Sequence, residues 1–543
     1  MSHAARALEL LLAGEGTAAR FSLDRAREAN PDRAERARLL AVASFVHLVE
    51  GRFIDAVETV DAALELVRGD ADLAAVPATA AAFVHCYATL AVTGLDPAES
   101  VARVIALRDR ILGLEGDDAT IAGYLAIEAA MAAGQLRAAQ EFGESYRTRS
   151  VPGQTGVVGL IALARSYAFQ GMLDPAHAAA TVAADLARGV PTRSLANATL
   201  AYLAAQSEER AETERLTALV EAEGDRATMY TVGAHVLCAY ALSAVENVGR
   251  AATMILWAGG SPSLSRLQVV DRAYGYELLT ADAIERGDLT AARSWGRRAM
   301  PLGGNDMAVA AVARTLSRLD AAIGRADTAA EHAAVAAARA LVAGGRLDAA
   351  RSAVLLASAH AAAGSTDRAV SELRTVALEA QNLGAVAVRN WSARELSRLG
   401  RHLPSHDDAW SSLSEREQQV ALLAAEGFSN RAIGHALFLS ERTVQGYLSR
   451  ALAALGVGSR AALPASLGRS PGVGTLTELT ARQEQVAILV AAGYSNRTIS
   501  SRLSISEKTV EKHIVAIFAR LHVTSRTGIA NHVLSHRPET RPA

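Results

Sequence analysis

Lysine is almost absent from this sequence of 543 residues, which contains only Lys508 and Lys512. A Walker-type phosphate loop needs a Gly-Lys-Ser/Thr sequence and a Schiff-base enzyme needs a reactive lysine, so neither can lie before residue 508. Cysteine is equally rare, since only Cys86 and Cys238 occur. Two cysteines exclude a disulfide framework and a four-cysteine zinc site, and they fit a reducing compartment.

Patterns of catalytic residues are missing as well. The histidines of the long N-terminal region, such as His47, His85, His177 and His235, are scattered. None stands in a His-Glu-x-x-His or Cys-x-x-Cys setting, and no Gly-x-Ser-x-Gly sequence marks a hydrolase nucleophile. We therefore predict that the protein is not an enzyme and needs no cofactor or metal.

Long uncharged stretches are also few. Residues 73–95 and 227–245 lack charged side chains, but they are rich in Ala, Thr and Gly, and such runs are only weakly apolar on membrane-transfer scales. We predict buried helices there instead of membrane spans. The N-terminal sequence lacks the charged-then-apolar pattern of a signal peptide, so we predict a cytoplasmic protein that does not enter a membrane.

Charge is unevenly distributed along the chain. Lys and Arg number 55 against 57 Asp and Glu, for a net charge of −2. From residue 401 onward there are 16 basic and 11 acidic side chains, a net charge of +5, so the first 400 residues carry −7. A basic C-terminal part favours a nucleic-acid partner. The low aromatic content of 4% and the abundant alanine favour closely packed helices.

A six-residue signature recurs in the first 400 residues: a glycine, often Leu or Phe two positions later, and an alanine at the sixth position. It occurs at Gly51–Ala56, Gly134–Ala139, Gly171–Ala176, Gly287–Ala292 and, more loosely, at Gly324–Ala329 and Gly364–Ala369. Neighbouring copies lie about 37 to 40 residues apart, and the larger gaps are near two or three times that spacing. A helical hairpin explains the pattern, because glycine ends the first helix in a left-handed conformation, Leu or Phe anchors the turn, and alanine lets the helices pack closely.

This signature resembles the turn of the tetratricopeptide repeat, although the usual period is 34 residues and the closing proline is mostly missing here. We predict a tetratricopeptide-like α-solenoid over residues 1–402. Solenoids present a concave surface, on which a small-molecule effector or a protein partner would bind. Trp295 and Trp391 either line that surface or pack in the core, and core packing is favoured for each.

Two segments beyond residue 412 align without a gap at an offset of 66 residues. We name residues 413–467 copy one and residues 479–535 copy two. The matching motifs are LSEREQQV (413–420), GFSNR (427–431), LSERTV (439–444) and GVGSR (456–460) in copy one, and LTARQEQV (479–486), GYSNR (493–497), ISEKTV (505–510) and HVTSR (522–526) in copy two. Two independent matches of this kind exclude coincidence.

Each copy is predicted to form four short helices. Capping residues mark the starts of the first three. They are Ser414 with Glu417 and Thr480 with Gln483 for the first helix, Ser429 and Ser495 for the second, and Ser440 and Ser506 for the third. The apolar residues predicted to be buried by the third helix of copy two are Val510, Ile514, Ile517 and Leu521. A short helix, a tight turn and a longer helix with a polar outer face indicate a helix-turn-helix.

Both copies resemble the LuxR-type helix-turn-helix domain, whose pattern runs Leu-Thr-x-Arg-Glu, Gly-x-Ser-Asn, Ser-x-x-Thr-Val and Leu-x-Val-x-Ser-Arg. The resemblance implies that the third helix enters the major groove, that residues just after Thr-Val contact bases, and that the threonine and nearby basic residues contact phosphates. The implied base-contacting residues are Gln445, Gly446 and Ser449 in copy one, and Glu511, Lys512 and Val515 in copy two. The implied phosphate-contacting residues are Arg442, Thr443, Lys508, Thr509 and Arg526.

The predicted order of domains is an all-α arrangement. The limits are 1–402 for the solenoid, 403–412 for a linker, 413–467 and 479–535 for the two copies with a linker at 468–478 between them, and 536–543 for a disordered tail. This order is similar to that of the large ATP-binding LuxR regulators. Their N-terminal ATPase domain is missing here, because no lysine precedes residue 508.

The two copies are predicted to differ in DNA affinity. Copy two carries seven basic and three acidic residues, whereas copy one carries five and four, so copy two should bind DNA more tightly. Gly446 weakens the third helix of copy one by about 1 kcal/mol relative to alanine, and Pro464 interrupts its fourth. Copy one is therefore either a weak DNA contact or a packing partner of copy two. Glu511 either accepts a hydrogen bond from cytosine N4 or pairs with Lys508.

The sequence thus predicts a bacterial transcription regulator whose solenoid senses a ligand or partner and whose tandem modules bind double-stranded promoter DNA. Further expected partners are RNA polymerase or another regulator protein and a small-molecule effector, and the chain is either a monomer or a homodimer. The alternative function is a helical-repeat interaction scaffold whose helix-turn-helix modules bind protein instead of DNA.

Overall fold

The protein is described by a computed structural model. The residues that it describes are 1–29, 31–70, 72–88, 95, 97–149, 153–223, 228–403, 410, 413–425, 427–437, 439–455, 460, 463, 479–491, 499–500, 503, 506–520 and 529. The chain divides into two compact units, Met1–Arg401 and His402–Ala543. All regular secondary structure in the described residues is helical, so the predicted all-α fold is confirmed. The predicted linkers lie mostly, and the predicted tail entirely, outside the described residues.

The first unit is a stack of helical hairpins, in which each helix packs against its neighbours along the chain. Its helices are α1 (His3–Leu12), α2 (Gly16–Glu28), α3 (Arg33–Val49), α4 (Phe53–Leu66), α5 (Ala75–Ala88), α6 (Pro97–Ala106), α7 (Arg108–Gly113), α8 (Gly116–Ala132), α9 (Leu136–Arg149), α10 (Gln154–Phe169), α11 (Leu173–Leu186), α12 (Val190–Gln206), α13 (Arg210–Glu223), α14 (Met229–Ala244), α15 (Val248–Gly259), α16 (Val269–Glu285), α17 (Leu289–Ala299), α18 (Asp306–Ala322), α19 (Ala326–Ala343), α20 (Arg346–Ala362), α21 (Thr366–Leu383) and α22 (Val386–Arg398). This arrangement is an α-solenoid.

The glycine signature lies at the turn of six hairpins. All six signature glycines have a positive φ, between 73° and 86°, which glycine adopts without the steric cost of a Cβ atom. The alanine five residues later is fully buried in every case. These alanines are Ala56, Ala139, Ala176, Ala292, Ala329 and Ala369. The sequence interpretation of both positions is therefore confirmed.

The expected turn anchor is less uniform than the alanine. Leu136 is fully buried, but Phe53, Leu173 and Leu289 are only half-buried. Close approach at the small alanine thus holds the two helices together more consistently than the larger side chain does.

Two further hairpins fill the gap between Gly171 and Gly287. Their turns have the same backbone hydrogen bonds as the glycine turns, but the left-handed residue is Glu208 (φ 61°) in one and Glu246 (φ 65°) in the other. A side chain in this conformation costs about 1 to 2 kcal/mol. The repeat spacing therefore continues through the gap, and only its glycine is replaced.

The charge-poor stretches form buried helices, as predicted. Helices α5 and α14 occupy them, and both are buried along almost their whole length. No helix in the described part of the chain is long and apolar enough to span a membrane.

The first helices of successive hairpins meet on the inner side of the solenoid, where α22 packs against both α12 and α20. The side-chain amide of Asn390 on α22 donates to Glu208, which ties the last helix to the end of α12. A buried ion pair joins neighbouring helices nearby, with Arg314 Nε donating to Glu277 Oε2 at 2.9 Å. Arg314 is 0% exposed. Packing of these helices encloses a groove that is described below.

The second unit contains five further described helices: α23 (Glu415–Ala425), α24 (Asn430–Leu437), α25 (Glu441–Leu455), α26 (Ala481–Ala491) and α27 (Glu507–Arg520). The first three belong to copy one and the last two to copy two. Val510, Ile514 and Ile517 of α27 are buried as predicted, and Leu521 lies outside the described residues. Each copy has its own apolar core.

Candidate nucleic-acid interface

The first helix of each copy begins at a reciprocal capping pair. The backbone N–H of Ser414 donates to Glu417 Oε2 at 3.0 Å, and the N–H of Glu417 donates to Ser414 Oγ at 3.4 Å. Thr480 and Gln483 exchange the equivalent bonds at 3.1 and 3.3 Å. Both predicted capping boxes are therefore present, and they satisfy backbone donors that the helix itself leaves free.

The tight turn of copy one ends at the cap of the third helix, α25. The N–H of Thr443 donates to Ser440 Oγ at 3.1 Å, and the two hydroxyl groups share a hydrogen bond of 2.7 Å. Ser506 and Thr509 make the same two bonds in copy two, at 3.1 and 2.7 Å. The hydroxyl of each threonine is thereby held at the N-terminal end of its helix.

The exposed face of α25 brings together the residues that were predicted for copy one. Arg442, Thr443, Gln445 and Ser449 are exposed, whereas Gly446 is half-buried. Six residues of this region line an open groove of about 570 Å³, and Thr443 is not one of them. The six are Asn430, Glu441, Arg442, Gln445, Gly446 and Ser449. The groove therefore adds Asn430 and Glu441 to the predicted residues, and Asn430 lies at the start of α24.

Arg450 of α25 is held within copy one. Its Nε donates to Glu417 Oε1 at 2.6 Å, and its guanidinium carbon lies 4.9 Å from the ring centre of Tyr447. The hydrogen bond from Arg450, helped by those from Ser414, lowers the pKa of Glu417 to about 2. Arg450 is thus already paired with a carboxylate, which reduces what it can offer to a phosphate.

Copy one also contains a link that sequence reasoning missed. Arg460 Nη1 donates to Asn430 Oδ1 at 2.7 Å, and burial lowers the pKa of the Arg460 guanidinium. The signal was present in the sequence, because both residues recur in copy two as Asn496 and Arg526. Arg526, predicted to contact phosphate, and Asn496 lie outside the described residues.

The outer face of α27 in copy two is charged. Lys508, Glu511 and Lys512 are exposed, and Thr509 is half-buried. No ion pair of the described residues involves Lys508, Glu511 or Lys512, so the pairing of Glu511 with Lys508 that the sequence left open is not formed here. Val515 lies on the same helix, and its side chain is outside the described part.

The sequences of both copies match a known family. The profile described as "Bacterial regulatory proteins, luxR family" matches residues 411–465 and 477–533. Both segments are LuxR-type helix-turn-helix domains. Their presence makes the C-terminal part of the chain a DNA-binding region of the kind found in transcription regulators.

Curated relatives agree with this family over the same short region. The putative HTH-type transcriptional regulator YhjB of Escherichia coli is 42% identical over 55 residues, which is 10% of this chain and 28% of that protein. The response regulator VraR of Staphylococcus aureus is 38% identical over 58 residues, 11% of this chain and 28% of VraR. The putative HTH-type regulator Mb0914c of Mycobacterium bovis is 46% identical over 54 residues, 10% of this chain and 6% of that protein. The chain therefore matches less than a third of each of these relatives.

Among solved structures, the crystal structure of the APC/C hetero-tetramer Cut9-Hcn1 aligns with 95% of this chain and 99% of the other, at 13% identity and a TM-score of 0.34. A score this low does not establish a shared fold. The solenoid assignment rests on the helices and turns described above.

Proposed function

We propose that the chain is a sequence-specific transcription regulator, in which the tandem LuxR-type domains bind promoter DNA through the major groove and the solenoid senses a ligand or partner. The observation that supports this most directly is the presence of two third helices with the same cap, a buried apolar face and an exposed polar face. A helix of this form fits the major groove, which is about 12 Å wide.

Copy two provides the main contacts in this proposal. The ammonium groups of Lys508 and Lys512 neutralise phosphates or bind guanine, and the Glu511 carboxylate accepts from the N4 amino group of cytosine. Since none of the three is engaged in an ion pair among the described residues, little has to be broken when DNA binds. Thr509, Val515 and Arg526 complete the proposed interface.

Copy one provides a weaker contact through Gln445, Gly446 and Ser449, with Arg442 and Thr443 at the backbone. Its net charge of +1 against +4 for copy two reduces the phosphate-dependent part of the affinity. The pairing of Arg450 with Glu417 reduces it further. The same two features favour the second candidate function for this copy alone, which is contact with a protein such as RNA polymerase or a second copy of the chain.

The test is a selection of bound sequences from a pool of random duplex DNA with the full-length protein. We expect one motif to be enriched, to be lost with Lys512→Ala, and to be retained with Gln445→Ala. Two motifs at a fixed spacing would instead mean that both copies recognise bases. If no sequence were enriched at low salt, the regulator proposal would be wrong and the scaffold alternative would be favoured.

A further inference from the structure

The inner side of the solenoid contains a groove of about 490 Å³, lined by apolar and charged side chains. It is lined by the first helices of consecutive hairpins, from α12 to α20, and by α22. Sites for small molecules in proteins typically have volumes of about 300 to 1,000 Å³. The groove therefore has the size of a small-ligand site, and it is built from well-packed helices.

Two arginines on neighbouring helices form one wall. Arg318 of α18 and Arg351 of α20 have side chains only 24% and 15% exposed. The nearest carboxylate oxygens are 3.5 Å from Arg318 Nε, in Glu277, and 3.7 Å from Arg351 Nη1, in Asp348. Both contacts are long for charged groups, since hydrogen bonds between a guanidinium and a carboxylate are usually about 2.7 to 2.9 Å. The two arginines are therefore only loosely paired in a half-buried setting, where unmet charged donors are costly.

The carboxylates behind this wall do not neutralise it. Glu277 already accepts from the fully buried Arg314 at 2.9 Å, so it serves two guanidinium groups. Burial lowers the pKa of Arg318, and the charges of Arg351 and Arg314 lower it further against the effect of Glu277. Burial raises the pKa of Asp348 to about 6 against the opposing effect of Arg351, so this carboxylate is ionised at neutral pH and becomes protonated below pH 6. Even with both carboxylates ionised, the three guanidinium groups Arg314, Arg318 and Arg351 outnumber Glu277 and Asp348 by one, and an anion would balance that charge.

An aromatic surface lies beside the arginines. The guanidinium carbon of Arg318 is 5.6 Å from the ring centre of Trp391, whose Nε1 donates to Glu395 at 3.3 Å. Trp391 is only half-buried and lines the groove, contrary to the core position that the sequence favoured. Ser358 also lines it, and its buried hydroxyl has no partner in the described residues. A flat ligand body can stack on the indole while a polar group reaches this hydroxyl.

Acidic side chains limit what can enter the groove. Glu246 and Glu285 also line it, and their negative charges repel a polyanion such as nucleic acid. Glu246 is one of the two left-handed glutamates, and its carboxylate binds Arg394 of α22 at 2.6 Å. Backbone strain of this kind is concentrated at binding sites, where surrounding contacts hold it in place. Here the strained residue and its cationic partner both line the groove.

We propose that this groove binds a small organic anion, with its carboxylate or phosphate group between Arg318 and Arg351 and a flat body against Trp391. This proposal rests on the proposed function in one respect, which is the sensing role of the solenoid. It gives that role a binding site and a class of ligand. Hydrogen-bond donors on the ligand would find acceptors in Glu246 and Glu285, which also line the groove.

Ligand-observed saturation-transfer NMR on the full chain tests this proposal, because it detects millimolar binding. The probes are phosphate-bearing phenyl phosphate, benzoate and 4-aminobenzoate, with benzamide as the uncharged analogue of benzoate. The variants are Arg318→Gln and Arg351→Gln. Arg318→Lys keeps the charge, and Arg339→Gln removes an exposed arginine of α19 that pairs with Asp306 at 3.0 Å. Circular dichroism checks that each variant is folded.

We expect at least one of the three anions to bind the wild type and Arg339→Gln, with at least tenfold weaker binding to each Gln variant and no binding of benzamide. Arg318→Lys should bind less tightly than wild type but better than Arg318→Gln. Equal binding to wild type and the Gln variants, equal binding of benzamide, or no binding of any anion at 10 mM would overturn the proposal. DNA binding is measured separately without anion, so loss of the anion site leaves the regulator proposal intact, and absence of DNA binding leaves the anion result interpretable.

Discussion

Copy one and copy two share their interior and differ at their surface. Every core residue described in copy two has a core counterpart 66 positions earlier in copy one. The pairs are Val420/Val486, Ala421/Ala487, Ala424/Val490, Ile433/Ile499, Val444/Val510, Leu448/Ile514, Ala451/Ile517 and Leu463/Ile529. The outer faces of their third helices have no such correspondence, since Gln445 and Gly446 stand where copy two has Glu511 and Lys512. The interior thus preserves the fold, and the surface is free to set DNA affinity.

The two copies also differ in their ion pairs. In copy one Arg450 is paired with Glu417, and the corresponding residues of copy two are Ala516 and Gln483. Copy one therefore uses a charge pair for internal contact, whereas Lys508 and Lys512 form no ion pair with any residue that the structure describes in copy two.

The largest effect should come from matched core substitutions. Ile514 and Leu448 are 6% and 7% exposed, and truncating either to alanine should destabilise its own copy by about 2 to 5 kcal/mol. We expect Ile514→Ala to abolish DNA binding by the full chain and Leu448→Ala to weaken it only a few-fold. Hydrogen exchange locates the destabilised copy, and gel-shift titration measures affinity. Equal losses of affinity would show that the two copies contribute equally.

Substitutions of the outer face should have the next largest effect. Lys512→Ala should reduce the affinity for the selected duplex about tenfold, or ~1.4 kcal/mol, because it removes a charged contact to a base or phosphate. Gln445→Ala, its matched change in copy one, should reduce the affinity less than threefold, by about 0.6 kcal/mol. Fluorescence anisotropy with the labelled duplex measures both. A larger loss with Gln445→Ala would reverse the assignment of the leading copy.

Gly446→Ala should stabilise copy one. A Cβ atom added at Gly446 would meet only the far end of Arg450, at 3.9 Å, so alanine gains helix propensity of about 0.5 to 1 kcal/mol without a clash. Slower hydrogen exchange in α25, with α27 unchanged as the internal control, would confirm it. Faster exchange in α25 would mean that glycine is needed at this position for packing.

The smallest effect should be a response of copy one to acid. The pKa of Glu417 is about 2 instead of 4.5 because of Arg450 and Ser414, so the stability that it provides is complete above pH 4.5 and is lost as the pH falls toward 2. We expect the hydrogen-exchange protection of α23, corrected for the intrinsic dependence of exchange on pH, to fall between pH 6 and pH 3 more in wild type than in Glu417→Gln. Helix α26 has Gln483 at the position of this carboxylate. Its hydrogen exchange should be the same in wild type and in Glu417→Gln. An identical pH response in wild type and Glu417→Gln would contradict the assignment.

The sequence predicted local structure well where a residue has one dominant physical role. The capping residues Ser414, Thr480, Ser440 and Ser506 were identifiable because each satisfies free backbone donors at a helix start, and this requires only short-range spacing. The signature glycines were identifiable because few other residues adopt a positive φ at low cost. In the solenoid, the glycine rule located six of the hairpin turns.

Features that depend on distant parts of the chain could not be predicted. Glu208 and Glu246 replace glycine at two turns, and what holds them is contact with α22, about 150 to 180 residues further along the chain. The groove of the solenoid arises because α12 and α22 meet, which no local pattern encodes. For the same reason Trp391 was expected in the core. In copy one, the contribution of Asn430 to the interface depends on the packing of α24 beside α25 and was also missed.

The salt dependence of DNA affinity measures whether the chain binds DNA, as proposed, and whether copy two dominates this binding. The affinity of the full chain for the selected duplex should fall linearly on a logarithmic plot against salt concentration. The double variant Lys508→Ala/Lys512→Ala should reduce that slope by about 2, since each lysine releases about one counterion. An unchanged slope in this variant, together with a reduced slope in Arg442→Ala, would contradict the account.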